Sequence, residues 1–208
     1  MIEANKLNQL EIRLLGALIE KQHTVPDSYP LTLNALLAAC NQKSSREPVI
    51  EATEAELLVA LDRLREQGWV VEVNKGRVLR YEQALAKVLC IPSQSVALLA
   101  VLMLRGPQTS GELRLNCERL HRFADISAVE GFLEELAARQ SAALVLQMPK
   151  QAGARECRWC HLLAGEPPLV SVEIPQLGLV ARVAHLELEV ENLKAMMVDV
   201  LEKQSVRP

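Results

Sequence analysis

Two cysteines and a histidine stand close together in the string Cys157-Arg-Trp-Cys160-His161, which carries the spacing of a covalent haem-attachment motif. Haem attachment requires export. The opening MIEANKLNQLEIR carries charges early and no long apolar run, so it does not read as a secretory signal. The string also reads as a β-strand, in which residues three apart point to opposite faces. A turn or a strand end would be needed to join the two thiols as metal ligands or a redox pair. A zinc site asks for four ligands, and His161 alone does not complete one. No metal and no cofactor are therefore expected. The remaining thiols, Cys40, Cys90 and Cys117, lie in apolar surroundings and read as small core residues. Five cysteines and no export signal argue against a disulfide framework.

Catalytic constellations are missing at the level of motif. The chain has no phosphate-binding glycine loop, metalloprotease helix or nucleophile elbow. His23 and Asp27 share a loop without a nucleophile at matching spacing, and His121, His161 and His185 are scattered. A non-enzymatic protein is expected.

Basic residues are the better candidates for chemistry. Lys43, Ser44, Ser45 and Arg46 form a short donor-rich segment suited to phosphates. Lys75, Arg77 and Arg80 cluster around a predicted hairpin turn. A second set, Arg114, Arg119 and Arg122 with Lys150, Arg155 and Arg158, is read as a solvated mixed-charge surface. The net charge of −3 means that any affinity for nucleic acid must come from such local patches.

The elements that would position these residues come in two similar series. Asn8 and Glu11 form a capping box for a first helix running to about Lys21. Residues 23–30, with two prolines, read as a loop. A short helix over 31–40 and the polar segment 41–48 follow. Thr53 and Glu56 cap a third helix with Leu57, Leu61 and Leu64 as its buried stripe, and Gly68 ends it. The pattern then turns to β: Trp69 to Val73, a turn at Asn74-Lys75-Gly76, and Arg77 to Tyr81.

The series repeats. Ser93 to Arg105 is helical, and Thr109 with Glu112 caps a second helix reaching about His121. Asp125 or Ser127 opens a third, striped by Val129, Phe132, Leu133 and Leu136. Ala143 to Met148 and Cys157 to Leu163 then read as a hairpin. Leu14, Leu15 and Leu18 correspond to Leu98, Leu99 and Leu102, and Cys40 corresponds to Cys117. Three helices and a hairpin, given twice, predict a mainly α (α+β) protein of two tandem winged-helix domains, at 1–88 and 89–165. A proline-containing connector and a coiled-coil helix fill 166–208. The boundary near residues 84–92 need not be a flexible linker.

In the last segment apolar residues fall at Leu179, Val183, Leu186, Val190, Leu193, Met197 and Val200, alternating by four and three. That is a heptad pattern, and β-branched residues at a with Leu at d favour a parallel two-stranded coil. Arg182 would face Glu187 of a second copy, and Glu189 would face Lys194. A homodimer through this helix is expected.

Half of the residues are hydrophobic and two each are Trp, Tyr and Phe, so the core is built from Leu, Val and Ala. The longest apolar run, Val96 to Leu104, is too short to cross a bilayer. A cytoplasmic protein without membrane contact is expected.

The strings LNQLEIRLLGALIEKQHTVPDSYPLTLNALLAACNQKSSREPV at Leu7 to Val49, LDRLREQGWV at Leu61 to Val70, LRGPQTSGELR at Leu104 to Arg114 and HLLAG at His161 to Gly165 resemble the YceH-like family of uncharacterised bacterial proteins. The resemblance implies two winged-helix domains and no particular function. It directs attention to the polar segment 41–46.

In a winged helix the third helix usually enters the major groove and the hairpin touches phosphate or the minor groove. The leading expectation is a transcription-associated dimer binding duplex DNA through Lys43 to Arg46 and the first hairpin. Glu51, Glu54 and Glu56 at the first third helix, and Asp125, Glu130, Glu134 and Glu135 at the second, speak for the alternative. That alternative is a scaffold using the same surfaces to hold a protein partner.

Overall fold

The computed structural model describes residues 6–75, 78–151 and 153–166, together with positions 187, 190 and 194. The chain divides into one unit ending at Pro167 and another, Pro168–Pro208. Of the second unit, Glu187, Val190 and Lys194 are helical and exposed. The other heptad positions, Leu179, Val183, Leu186, Leu193, Met197 and Val200, lie outside the described residues.

The first unit mixes α-helices with two small antiparallel sheets. Helix α1 (Gln9–Thr24) opens at the capping box of Asn8 and Glu11. It runs a turn beyond the expected end, so His23 belongs to the helix. A single 3-10 turn, Pro26–Ser28, leads to strand β1 (Leu31–Thr32) and helix α2 (Leu33–Cys40). The strand was not expected. Thr32 serves both elements, since its side chain accepts the Ala35 amide and caps α2. Helix α3 (Glu54–Glu66) carries the full Thr53–Glu56 box. Strands β2 (Val70–Lys75) and β3 (Val78–Gln83) form the hairpin, and β1 joins its β3 edge to give the order β1-β3-β2.

The region expected as a boundary is a short helix, α4 (Leu85–Leu89), with Leu85 and Leu89 buried. It ends at Cys90, whose φ of 50° lies in the left-handed region. Cys90 is exposed, in correction of the core role expected for it, because this helix-ending turn faces solvent. Helix α5 (Ser93–Arg105) follows, then α6 (Ser110–Asn116), which stops short of His121, and α7 (Ile126–Ala137), capped by Asp125. Strands β4 (Val145–Gln147) and β5 (Trp159–His161) make the second hairpin.

Some local features recur in the two series of elements. Thr32 and Thr109 have the same backbone conformation and each caps the second helix of its series. Leu31 and Thr32 pair with β3, and Gln108 bridges to Trp159 of β5. Cys40 and Cys117 end those second helices, fully buried. Burial pushes both thiols up to about 12, which leaves them inert as nucleophiles.

The halves are not separate cores. Nine consecutive residues of α1, Glu11 to Ile19, are buried, as are ten of α5, Ser95 to Leu104. A helix covered on every face must have neighbours on opposite sides. Each of these two packs against its own half and against the other. Their approach is close at Gly16, where an added Cβ would lie 2.9 Å from Leu104 Cγ and Cδ2. One continuous hydrophobic cluster therefore runs from Leu7 to Leu163. The Leu7 amide also donates to the Leu163 carbonyl (2.9 Å), tying the start of the first half to the end of the second.

Candidate interaction surface

The polar segment 41–48 is stitched down along most of its length. Asn41 makes a reciprocal pair with Ala52: its side-chain amide donates to the Ala52 carbonyl and its oxygen accepts the Ala52 N–H, both at 2.8 Å. The Glu47 amide donates to the Leu104 carbonyl (2.8 Å), so the segment also leans on the second half. Ser45 takes a φ of 58°, and its hydroxyl accepts a hydrogen bond from Arg105 (2.8 Å).

Arg46 is buried. Its guanidinium donates to both Glu20 carboxylate oxygens (2.6 and 3.1 Å) and to the Ala39 and Ser45 carbonyls. A fork-to-fork pair of this kind is geometrically specific and uses the donors that a phosphate would need. The Arg46 side chain holds Glu20 below the usual carboxylate range, against the opposing effect of burial. Beside it Arg13, also buried, donates to the carbonyls of Cys40 and Pro48. Among the seven residues expected to meet nucleic acid, Arg46 is thus internal, Ser45 is occupied by Arg105, and Lys43 and Ser44 are exposed.

The first hairpin divides similarly. Arg80 faces inward along the sheet and donates to the Ser28 (3.2 Å) and Pro30 (2.7 Å) carbonyls, bracing the 3-10 turn. Lys75 ends β2 opposite Val78. Arg77 and the Lys75 side chain lie outside the described residues.

Neither third helix offers an unpaired cation among the described residues. On α3, Leu57, Ala60, Leu61 and Leu64 face the core. Arg63 pairs with the buried Glu11 (3.1 Å), and Arg65 pairs with Asp62 and with Glu72 of β2 (both 2.9 Å). Besides these pairs, the outward residues are Glu54, Ala55, Glu56, Leu58, Val59 and Glu66, with Val59 63% exposed and Leu58 39%. On α7 the outward positions include Glu130, Glu134 and Glu135. In the second half, Arg158 grips Glu112 (3.0 and 3.1 Å) and Arg114 donates to the Ala124 carbonyl.

The Cys157–Cys160 pair is split by its strand. Cys160 is buried opposite Leu146 and its thiol donates to that residue's carbonyl, whereas Cys157 precedes β5, half-buried. Among the described residues no three His, Cys, Asp or Glu side chains gather as a metal site. Burial lowers His161 to about 4, so it is neutral at physiological pH. No helix among the described residues is long and apolar enough to cross a membrane.

Glu20, Arg13 and Arg105, which fix the polar segment, were not singled out from the sequence. The available signal was Arg13 itself, a charge set among the apolar positions of α1.

Residues 7–154 match the family described as "Protein of unknown function, DUF480". The chain belongs to this family. It is 57% identical over 203 residues to a UPF0502 protein of Dechloromonas aromatica, covering 93% of this chain and 95% of that one. A UPF0502 protein of Methylibium petroleiphilum is 59% identical over 169 residues, 81% of this chain and 72% of its own. One from Cupriavidus metallidurans is 51% identical over 212 residues, 96% and 87% of the two chains. The stretch matched to the DUF480 family contains segment 41–48, both third helices and the first hairpin, while Cys157 and Cys160 lie beyond it.

Proposed function

We propose that this DUF480 protein is a non-enzymatic interaction module, a tandem winged-helix body whose first third helix, α3, docks a protein partner. The observation that carries the reading is the outward face of α3: Leu58 and Val59 exposed side by side, bordered by Glu66 and by the Arg65–Asp62 ion pair, with Arg63 held by Glu11. In a major groove Glu54 and Glu66, exposed and without a cationic partner among the described residues, would meet phosphates of like charge. Against a protein the same face offers an apolar centre with a charged rim, the usual anatomy of an interface. The partner that fits is a segment presenting apolar and basic residues together.

Duplex DNA is the second reading. It is favoured by the exposed Lys43 and Ser44, and by the two basic residues, Lys75 and Arg77, that the sequence sets at the hairpin tip. The heptads of 166–208 support a parallel coiled-coil homodimer under either reading. Substituting Leu186 and Leu193 by Asp then yields a monomer in light scattering.

The discriminating experiment compares wild type with Val59→Asp in two assays: copurification of a stoichiometric protein partner after nuclease treatment, and retention of a random duplex pool across a salt series. The interaction module predicts a partner lost in Val59→Asp and no recovered DNA motif. A palindromic motif, bound equally by both proteins, would overturn it.

A further inference from the structure

The two halves meet across a polar cleft with two compartments. One is open, about 380 Å³, and the other is more enclosed, about 70 Å³. Ser45, Arg105 and Asn116 border both, so the Arg105–Ser45 hydrogen bond stands where the compartments adjoin.

The charges in the enclosed compartment do not balance. Its cations are Arg105, half-buried, and Arg119, exposed. Neither has a carboxylate within ion-pair distance among the described residues. Its single carboxylate, Glu20, is already neutralised by Arg46 and by Lys21 at 3.4 Å. Two guanidinium groups without counter-ions among the described residues, one of them half-removed from water, border a space the size of a small oxyanion. The Ser45 hydroxyl adds a neutral donor from the first half, and the Asn116 amide, which gives one hydrogen to Gln108 Oε1 (2.6 Å), has a second from the other half. A partly desolvated cation gains most from an anion that accepts its hydrogen bonds.

We propose that the enclosed compartment binds the phosphoryl group of a small phosphorylated metabolite, whose body lies in the open compartment. Donors approach from the loop at Ser45, the end of α5 at Arg105, and Asn116 and Arg119 at and beyond the end of α6. That spread suits a tetrahedral phosphate better than a planar carboxylate. The open compartment holds Glu47, a carboxylate without a cationic partner among the described residues, which accepts hydrogen bonds from hydroxyl or amino groups. A sugar phosphate or a nucleoside monophosphate has both parts. The bound ligand would touch the first half at Ser45 and the second at Arg105, independently of what α3 docks.

The test is isothermal titration of the full chain with inorganic phosphate, glucose 6-phosphate and AMP. The expected result is saturable binding of at least one ester with a Kd of about 1 mM or tighter, and weaker binding of inorganic phosphate. Arg105→Gln should weaken it about tenfold or more, as expected for losing a charged hydrogen-bond donor. Arg119→Glu, which changes an exposed residue and leaves the core intact, should abolish it, while Arg122→Ala should not alter it. Failure of all three probes to saturate the wild type would overturn the proposal. So would unchanged affinity in Arg119→Glu.

Discussion

The Arg46 guanidinium closes on both oxygens of Glu20, joining segment 41–48 to α1 from a position 26 residues away in sequence. This pair anchors a segment that reads as polar and donor-rich to the core through its one buried residue, Arg46. Breaking a buried ion pair by removing one partner costs about 3–5 kcal/mol, because the other charge is left uncompensated. Arg46→Ala should destabilise the chain by that order in urea titration. Lys43→Ala, three residues earlier and exposed, should stay within about 0.5 kcal/mol of wild type. Equal effects would mean that Arg46 is not structural.

Gly16 marks where α1 and α5 touch. In a free helix an alanine there would be favoured by about 1 kcal/mol. Here its Cβ would press on Leu104 at 2.9 Å, and overpacking of this kind costs about 1–3 kcal/mol. Gly16→Ala should therefore lower the Tm, and Gly16→Val should lower it further. A rise in Tm for Gly16→Ala would show that the two helices can separate without penalty.

This contact is also where sequence reading stopped short. Caps and periodicity disclosed most helices, because Asn8, Thr53, Thr109 and Asp125 leave local signatures. The fusion of the two halves left one too: the run Val96 to Leu104 has no polar face, and such a helix must be buried all round. The partners of that burial are far apart in sequence, so the run alone could not name α1. Strand β1 escaped because two residues carry no period. The site residues divided for the same reason. Lys43 and Arg46 look alike in a string, and only Glu20, on another helix, distinguishes the exposed one from the buried one.

Histidine 161 sets an acid limit on stability. Its pKa falls from 6.5 to about 4 because burial penalises the charged ring. The unfolded chain therefore takes up a proton before the folded one does. The stabilisation is complete above about 6.5 and drains away as pH falls to about 4, amounting to about 3 kcal/mol. His23 shifts in the same direction, through burial and the nearby His121. Glu20 acts lower, with its contribution lost only as pH falls below the ordinary carboxylate value. Urea midpoints should drop between pH 7 and pH 4.5, and His161→Gln should flatten that drop. An identical pH slope in the variant would contradict the assignment.

If DNA rather than protein were the partner, the hairpin would carry it. Replacing Lys75 and Arg77 by Ala would then lower the salt slope of duplex binding by about one unit per lost phosphate contact. Arg80→Ala should act instead on stability, since its guanidinium braces Ser28 and Pro30. With α3 as the docking face, no salt-dependent duplex affinity should be there to change.

The most direct measurement is photo-crosslinking in living bacteria, from a benzophenone amino acid placed at position 59 on the outward face of α3 and, separately, at position 43. The docking account predicts a discrete protein adduct from position 59 that is lost when Leu58 is changed to Asp in the same chain. Nucleic-acid adducts from position 43, with none of protein from position 59, would contradict it.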